Sequence, residues 1–472
     1  MSVMLGEGHS NHTLVMISHR GASLNIRQVP LMVAQAAAAS GGRVRSLTQE
    51  DRDCEQCFAQ DGMIHDLTAV GVQIVNSKCS ASYDQIVNYL KRAASMLGIE
   101  AKCEPDSEVS ITPASGRVSA RARSQASCRG ANSVLGTNDP ASSCQSNLEV
   151  IRMGAAWRAV RAANRTLRNV VLAVVDSGVD MTHPDLVNQF WRNPRDGSIG
   201  HNFLDDSSNV NDENGHGTHC AGIAGAQTNN GIGIAGVANV QLMILKFMGS
   251  DGKGPLSGAL SALDYAVRNG ATVSSHSYGS TFRSPIFEAA IANADAVGHV
   301  VVAAAGNDGL NLDQTPTYPC SFARTIPSTL CVAASTSATT SALSVASFSN
   351  VGSAVNIAAP GVNINSTYLS GSYAPLSGTS MSTPHVAGVA ALLATLGLDG
   401  QRITDSITRS RTAALSNRLG ASSPGELDAL NAVNIGLGQP TSPPRPISSA
   451  PARVPGIVSV WGVALLLALV CL

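Results

Sequence analysis

The stretch Asn169-Val170-Val171-Leu172-Ala173-Val174-Val175-Asp176 decides the fold. It is a continuous apolar run closed by an acid, and such a run suits a strand buried on both faces, as in a helix-covered parallel sheet. Outward from it, segment types alternate. His216 to Gly225 reads as a helix, Val240 to Phe247 as a strand, and Leu256 to Asn269 as a helix. Ala271 to Ser275 and Val300 to Ala305 read as strands, and Thr379 to Leu396 as a long apolar helix. Strand and helix in turn imply an α/β domain, a mostly parallel central sheet with helices on both faces. In such sheets chemistry gathers at the carboxyl ends of the strands, where Asp176 and Asn307 fall.

At 472 residues the chain holds this domain, taken as 147–435, and further segments besides. Residues 1 to about 112 read as one compact αβ-like unit, with a strand at Ala69 to Val75 and an amphipathic helix at Tyr83 to Leu97. Within it, 1–67 is taken as an N-terminal export or leader region and 68–112 as a small α+β domain. The apolar run Pro30 to Ala39 is either a displaced signal or a core segment. Residues 113–146 turn to Ser, Ala, Gly and Arg, and Arg117, Arg121, Arg123 and Arg129 make them a cleavable linker. A Pro/Ser-rich linker, 436–455, leads to an uncharged, mostly apolar tail, 456–472. That pattern suits a GPI-attachment signal, with a tail anchor as the competing reading.

Lys and Arg number 31 against 32 Asp and Glu, a net charge of -1, so there is no electrostatic reason to expect nucleic acid or an anionic membrane surface as partner. With 13% charged residues and 44 glycines, the chain reads as compact and turn-rich rather than disordered. No repeat at a solenoid period is visible. Ten cysteines without paired zinc-type spacing suit a few disulfides in an exported protein. Cys320 and Cys331 bracket a short loop and are the favoured pair, whereas Cys220 stays free within a buried helix. Sequons at Asn164 and Asn365 permit glycosylation.

Amide hydrolysis by a serine needs a hydroxyl, a base for its proton, an acid to orient the base, and donors for the oxyanion. Three segments supply candidates: Val174-Val175-Asp176-Ser177-Gly178, Asn214-Gly215-His216-Gly217-Thr218-His219-Cys220, and Ser377-Gly378-Thr379-Ser380-Met381-Ser382-Thr383-Pro384. In this order they resemble the subtilase family of subtilisin-like serine proteases, over roughly residues 147–435. The Cys after His219 is more like the proteinase K-type members.

The resemblance implies Ser380 as nucleophile, His216 as base, Asp176 as its orienting acid, and Asn307 as side-chain oxyanion donor. It sets His219 aside as a core histidine, with His183, His276 and His385. It aligns Ser277, Tyr278 and Gly279 with the strand that pairs with extended substrate, and Ala304, Ala305 and Gly306 with the opposite pocket wall, Thr317 near its base. Ser275 stands where the family usually has Asn. Asp185, Thr228, Asn230, Ile232 and Ile234 match a loop that wraps a structural calcium ion; an ordinary Asn-Asn-Gly turn is the alternative.

Together these imply a monomeric endopeptidase acting on protein or peptide substrates, secreted or held at the cell surface. It would be made as a zymogen whose residues 68–112 are its own inhibitory propeptide. A catalytically inactive surface-binding protein on the same scaffold is the rival, opposed by the intact Asp176, His216, Ser380 and Asn307. An α/β-hydrolase is excluded by the chain order.

Overall fold

The computed structural model describes residues 12–19, 22–39, 48–76, 78–111, 130–336 and 343–441. The N-terminal unit comprises β1 (Thr13–His19), β2 (Ala22–Ser23), α1 (Val29–Ala39), α2 (Gln49–Ala59), β3 (Ile64–Leu67), β4 (Val72–Val75), α3 (Tyr83–Leu97), β5 (Glu100–Pro105) and β6 (Glu108–Ser110). Its antiparallel sheet runs β2-β1-β4-β3, with β5 on the other side of β1. Helix α3 has the span read from the sequence because both ends are marked. Ser82 and Gln85 form a capping box, and Gly98 closes the helix at φ 63°.

The division at 67/68 does not survive. β1 pairs Thr13 with Val75 and with Pro105, so a strand from the expected leader region is the centre of the sheet. Without it, β4 and β5 would lose the carbonyls and amides they share. The run at 30–39 lies in α1, where Val33 is buried beside Phe58 and Leu90, so it is a core segment. The strand expected from Ala69 begins only at Val72, because residues 68–71 form a turn with Gly71 at φ 69°.

The larger unit holds α4 (Ser146–Val150), α5 (Met153–Ala162), β7 (Val171–Asp176), β8 (Gly200–Asn202), α6 (His216–Gly225), β9 (Gln241–Lys246), β10 (Lys253–Pro255), α7 (Leu256–Arg268), β11 (Val273–His276), α8 (Pro285–Ala296) and β12 (Val300–Ala304). It continues with β13 (Thr329–Ser335), β14 (Ile357–Pro360), β15 (Ile364–Tyr368), β16 (Ser372–Leu376), α9 (Thr379–Thr395), α10 (Gly400–Ser410) and α11 (Ala429–Gly436). Seven strands form one parallel sheet in the order β14-β13-β12-β11-β7-β9-β8. On β7, Leu172 and Val174 face one core with Cys220 of α6 and Val389 of α9. Ala173 and Val175 face the other, with Leu260 and Leu263 of α7 and Ile291 of α8. That two-sided burial is why the run has no polar residue.

The expected linker is shorter than 113–146. Residues 112–129 lie outside the described residues, but 130–146 are folded onto the larger unit. Leu135 and Ala141 enter its core, Ala141 N–H donates to Gly233 O at 2.7 Å, and Gln145 Nε2 donates to Ala235 O at 2.8 Å. Cys320 and Cys331 are bonded, as are Cys57 and Cys79, while Cys54, Cys103 and Cys220 are free. No helix among the described residues is long and apolar enough to cross a membrane. The tail, 456–472, lies outside them.

Candidate active site

Asp176 ends β7, and His216 opens α6 immediately beside it. His216 Nδ1–H donates to Asp176 Oδ1 at 2.8 Å, and Asp176 Oδ1 also accepts from the Ser177 N–H at 2.8 Å. The approach is set by glycines: a Cβ on Gly217 would lie 2.2 Å from Gly178 O. Asp212 lies against the first turn of α6, accepting from the N–H groups of Gly215 and Thr218 and from the hydroxyls of Ser177 and Thr218 at 2.7 to 2.9 Å. Burial alone would raise the Asp212 carboxyl, but these bonds outweigh it and hold it low. For His216, burial disfavours the imidazolium, yet the Asp176 charge and hydrogen bond prevail and raise its pKa well above the usual value.

Ser380 lies in the first turn of α9, whose free N–H groups and dipole favour negative charge. Its Oγ–H donates to Ser277 O at 3.1 Å, and among the described residues the buried His216 Nε2 has no hydrogen-bond partner. Cys220 connects the two helices, with Sγ 3.9 Å from His216 Nδ1 and 3.5 Å from Ser380 O. Asn307, just beyond β12, uses Oδ1 to accept the Thr379 N–H at 2.8 Å and the Thr379 hydroxyl at 2.9 Å. A Cβ built on Gly378 would lie 3.3 Å from Asn307 Nδ2, 3.7 Å from Asn307 Oδ1 and 3.7 Å from Ser380 N, so the two nitrogens both lie beside Gly378.

His219 is different. Its Nε2–H is shared between Ile364 O at 3.0 Å and Ala374 O at 2.9 Å, and burial pushes its pKa down to about 3. His183 donates to Ser372 O, and His385 bonds Asn147 and Met381 O. All three are neutral structural groups.

The cleft beside Ser380 is lined by Ser277, Tyr278, Gly279, Ala304, Gly306 and Thr317. Ala305 does not line it: strand alternation turns its side chain into the core with Leu312 and Ala333, and its carbonyl accepts from Thr317 Oγ1 at 2.8 Å. Part of the cleft is filled. β6 pairs antiparallel with β10, while Ser110 and Gly279 exchange both backbone hydrogen bonds at 3.2 and 3.0 Å. The N-terminal unit is fixed on α7 and α8 by acids at their N-termini. Asp106 accepts the Ser257 N–H at 2.8 Å and its hydroxyl at 2.5 Å; Glu104 accepts the hydroxyl of Ser284, the cap of α8. Both acids precede the strand that enters the cleft, β6.

The proposed calcium residues gather around Asp185. Its Oδ1 accepts from Asn230 Nδ2 at 2.9 Å, and its Oδ2 from the Ile234 N–H at 2.9 Å and the Tyr373 hydroxyl at 3.1 Å. Thr228 and Ile232 belong to the same loop, Thr228 Oγ1 donating to Gly236 O at 3.2 Å. Sequence reasoning missed Asp139, whose carboxylate accepts the N–H groups of Asn229 at 3.0 Å and Asn230 at 3.1 Å. Burial pushes Asp185 up to about 6, and the Asp139 charge adds to the rise. Among the described residues no cationic side chain is bonded to either buried carboxylate, whose oxygens are met by N–H and O–H donors; two carboxylates beside an asparagine are residue types that suit a hard cation.

Comparison with known proteins adds sequence-wide context. Residues 168–414 match the family model described as the subtilase family. Thermitase of Thermoactinomyces vulgaris is 40% identical over 272 residues, 57% of this chain and 89% of thermitase. Subtilisin BL of Lederbergia lenta is 41% identical over 239 residues, 50% of this chain and 81% of that protein. A solved structure described as a cold adapted subtilisin-like serine proteinase has 32% identity and a TM-score of 0.48, covering 57% of this chain and 91% of that one.

Proposed function

Because the chain belongs to the subtilase family and is a subtilisin-like serine endopeptidase, we propose that Asp176, His216, Ser380 and Asn307 carry its peptide-bond hydrolysis. The observation that supports this most is the pairing of His216 with Asp176 at 2.8 Å while Nε2 of the same ring is unbonded. The Nδ1–H bond leaves the Nε2 lone pair available as a base. Ser277 O, which now accepts the Ser380 hydroxyl, is also the carbonyl that an extended substrate's N–H would take. Substrate binding would therefore release the hydroxyl toward Nε2. The Ser380 proton then passes to His216 as Oγ bonds the scissile carbonyl carbon. The resulting oxyanion is met by Asn307 Nδ2 and Ser380 N–H. His216 gives its proton to the leaving amine, and water, activated by the same ring, hydrolyses the acyl-enzyme.

Ser380→Ala tests the assignment. It should abolish peptide hydrolysis and labelling by a fluorophosphonate, and retained hydrolysis would remove Ser380 from the mechanism.

The same reading makes the N-terminal unit an inhibitory propeptide, supported by β6 lying along the cleft strand at Gly279. Its span would be about 13–111 rather than 68–112. Asp139, Asp185 and Asn230, with carbonyls of Thr228, Ile232 and Ile234, would hold a structural calcium ion, which supplies positive charge to two buried carboxylates. Secretion is supported by the disulfides Cys57–Cys79 and Cys320–Cys331.

A further inference from the structure

Tyr278 lies between Ser277 and Gly279, yet it is only 2% exposed and its hydroxyl points inward. Tyr278 OH lies 2.7 Å from His276 Nδ1, His276 Nε2 is 2.7 Å from Ser274 Oγ, Ser274 Oγ is 2.8 Å from His299 Nε2, and His299 Nδ1 is 2.7 Å from Ala271 O. The terminal carbonyl can only accept, and this assigns every proton. His299 Nδ1–H donates to Ala271 O, so Nε2 accepts from the Ser274 hydroxyl. Ser274 Oγ then accepts from His276 Nε2–H, leaving His276 Nδ1 to accept from Tyr278. Burial keeps both imidazoles neutral, with His276 pushed down to about 3 and His299 to about 4. The phenol ring also packs against Phe247, at a centroid distance of 4.8 Å.

What occupies the cleft reports the shape of this wall. Val109, 3% exposed, lies opposite Gly254 in one apolar cluster with Phe247, Leu256 and Tyr278. The space is tight there: a Cβ on Gly254 would lie 2.2 Å from Phe247 O. One residue earlier, Glu108 meets Lys253 Nζ at 2.8 Å. The register counts the positions. Ser110 faces Gly279, so in a substrate bound antiparallel in the same register the residue two further on would face Ser277, whose carbonyl receives the Ser380 hydroxyl. A substrate residue there would be the last before the cut, which makes Val109 mark the fourth position upstream and Glu108 the fifth.

We propose that Tyr278, tethered through His276, is a specificity-determining wall that fits a valine-sized aliphatic side chain at the fourth position upstream of the cut and shuts out an aromatic one. Lys253 favours an acid at the fifth. The substrate class is thus peptides carrying an acid–aliphatic pair at those positions; the counting rests on Ser380 being the nucleophile. His276 touches no substrate and is a positioning residue acting through Tyr278.

The test uses the full chain, assayed as purified and after limited trypsin nicking among Arg117, Arg121, Arg123 and Arg129. Quenched peptides differ only in Val or Phe at the fourth position and Glu or Ala at the fifth. The wild type should favour Val by about tenfold or more in kcat/KM. In Tyr278→Phe, which keeps the ring and loses only the tether, and in His276→Leu, that ratio should fall at least about threefold through the KM of the Phe peptide. The double variant should fall no further, because one link is removed twice. Lys253→Ala should erase the preference for Glu.

A second arm needs no catalysis. In nicked Ser380→Ala chain on gel filtration, the N-terminal fragment should stay bound with Val109→Ile and be lost with Val109→Phe. A wild type cutting the Phe peptide as well as the Val peptide, or a ratio unmoved in Tyr278→Phe, overturns the proposal. If no peptide is cut by the wild type, the catalytic reading has failed instead. The fragment arm then decides alone, and a Val109→Phe fragment held as tightly as the wild type overturns the wall.

Discussion

Asn307 offers a substitution pair that separates stability from catalysis. Its Oδ1 accepts two hydrogen bonds from Thr379, whereas its Nδ2 lies, like the Ser380 nitrogen, beside Gly378. Asn307→Ala removes both ends of the amide. Losing the donor should lower kcat by about 10²–10³, the range known for the corresponding donor in subtilisin itself, or about 2.7–4 kcal/mol of transition-state stabilisation. Losing the acceptor leaves the buried Thr379 N–H unpaired, which costs about 1–3 kcal/mol of stability and a Tm fall of several degrees.

Asn307→Asp has the same shape and can keep both Thr379 bonds. It replaces the donor with a negative oxygen where negative charge develops, adding about 4 kcal/mol of repulsion for unit charges 4 Å apart at an effective dielectric of 20. The aspartate should therefore be the slower enzyme and the more stable protein of the two. Steady-state kinetics on a chromogenic peptide, with KM within about threefold of wild type, and calorimetric Tm values check both orderings. An aspartate variant keeping kcat within about fivefold of wild type would refute the placement of the oxyanion at this point.

Further outcomes follow from the other contacts. Activity should rise with pH through a pKa above the ordinary imidazole range, because only neutral His216 accepts a proton and Asp176 raises its pKa; Asp176→Asn should move that limb of the kcat/KM profile to lower pH. The same ion pair acts oppositely on folding, its contribution being complete below the unfolded imidazole pKa and lost as pH rises through the raised folded one. Asp106→Ala should release the N-terminal fragment of the nicked chain about 10-fold or more faster, since two bonds to a charged acceptor at the start of α7 are lost, each typically about 1.5–3 kcal/mol. Chelation should lower the Tm of wild-type protein, and Asp139→Asn should shrink that difference; equal chelator sensitivity would remove Asp139 from the cation site.

The elements legible in the sequence are those whose signal is local. Val171–Asp176 carries its own burial on both faces, and Tyr83–Leu97 carries its caps. The N-terminal unit was misdivided because β1 takes its place from partners far along the chain, Val75 and Pro105, and long-range pairing leaves no local trace. Asp139 was hidden for a related reason: it sits in a stretch that reads as linker and acts only when folded against Asn229 and Asn230. Ala305 was assigned to the cleft as one of three neighbours, whereas alternation gives the cleft Ala304 and Gly306 and gives the core Ala305.

The strand of residues 108–110 along the cleft has a consequence for the order of synthesis. A ribosome releases this chain from the amino end, so the N-terminal unit, with its own core around Phe58 and Tyr89, emerges before Asp176 and His216 and long before Ser380. On the propeptide reading proposed above, the blocking segment would be finished before the nucleophile has been translated. On that reading the nascent polypeptide would at no point present a competent cutting centre without its cover already tethered to the same molecule, and neighbouring unfinished chains would be spared.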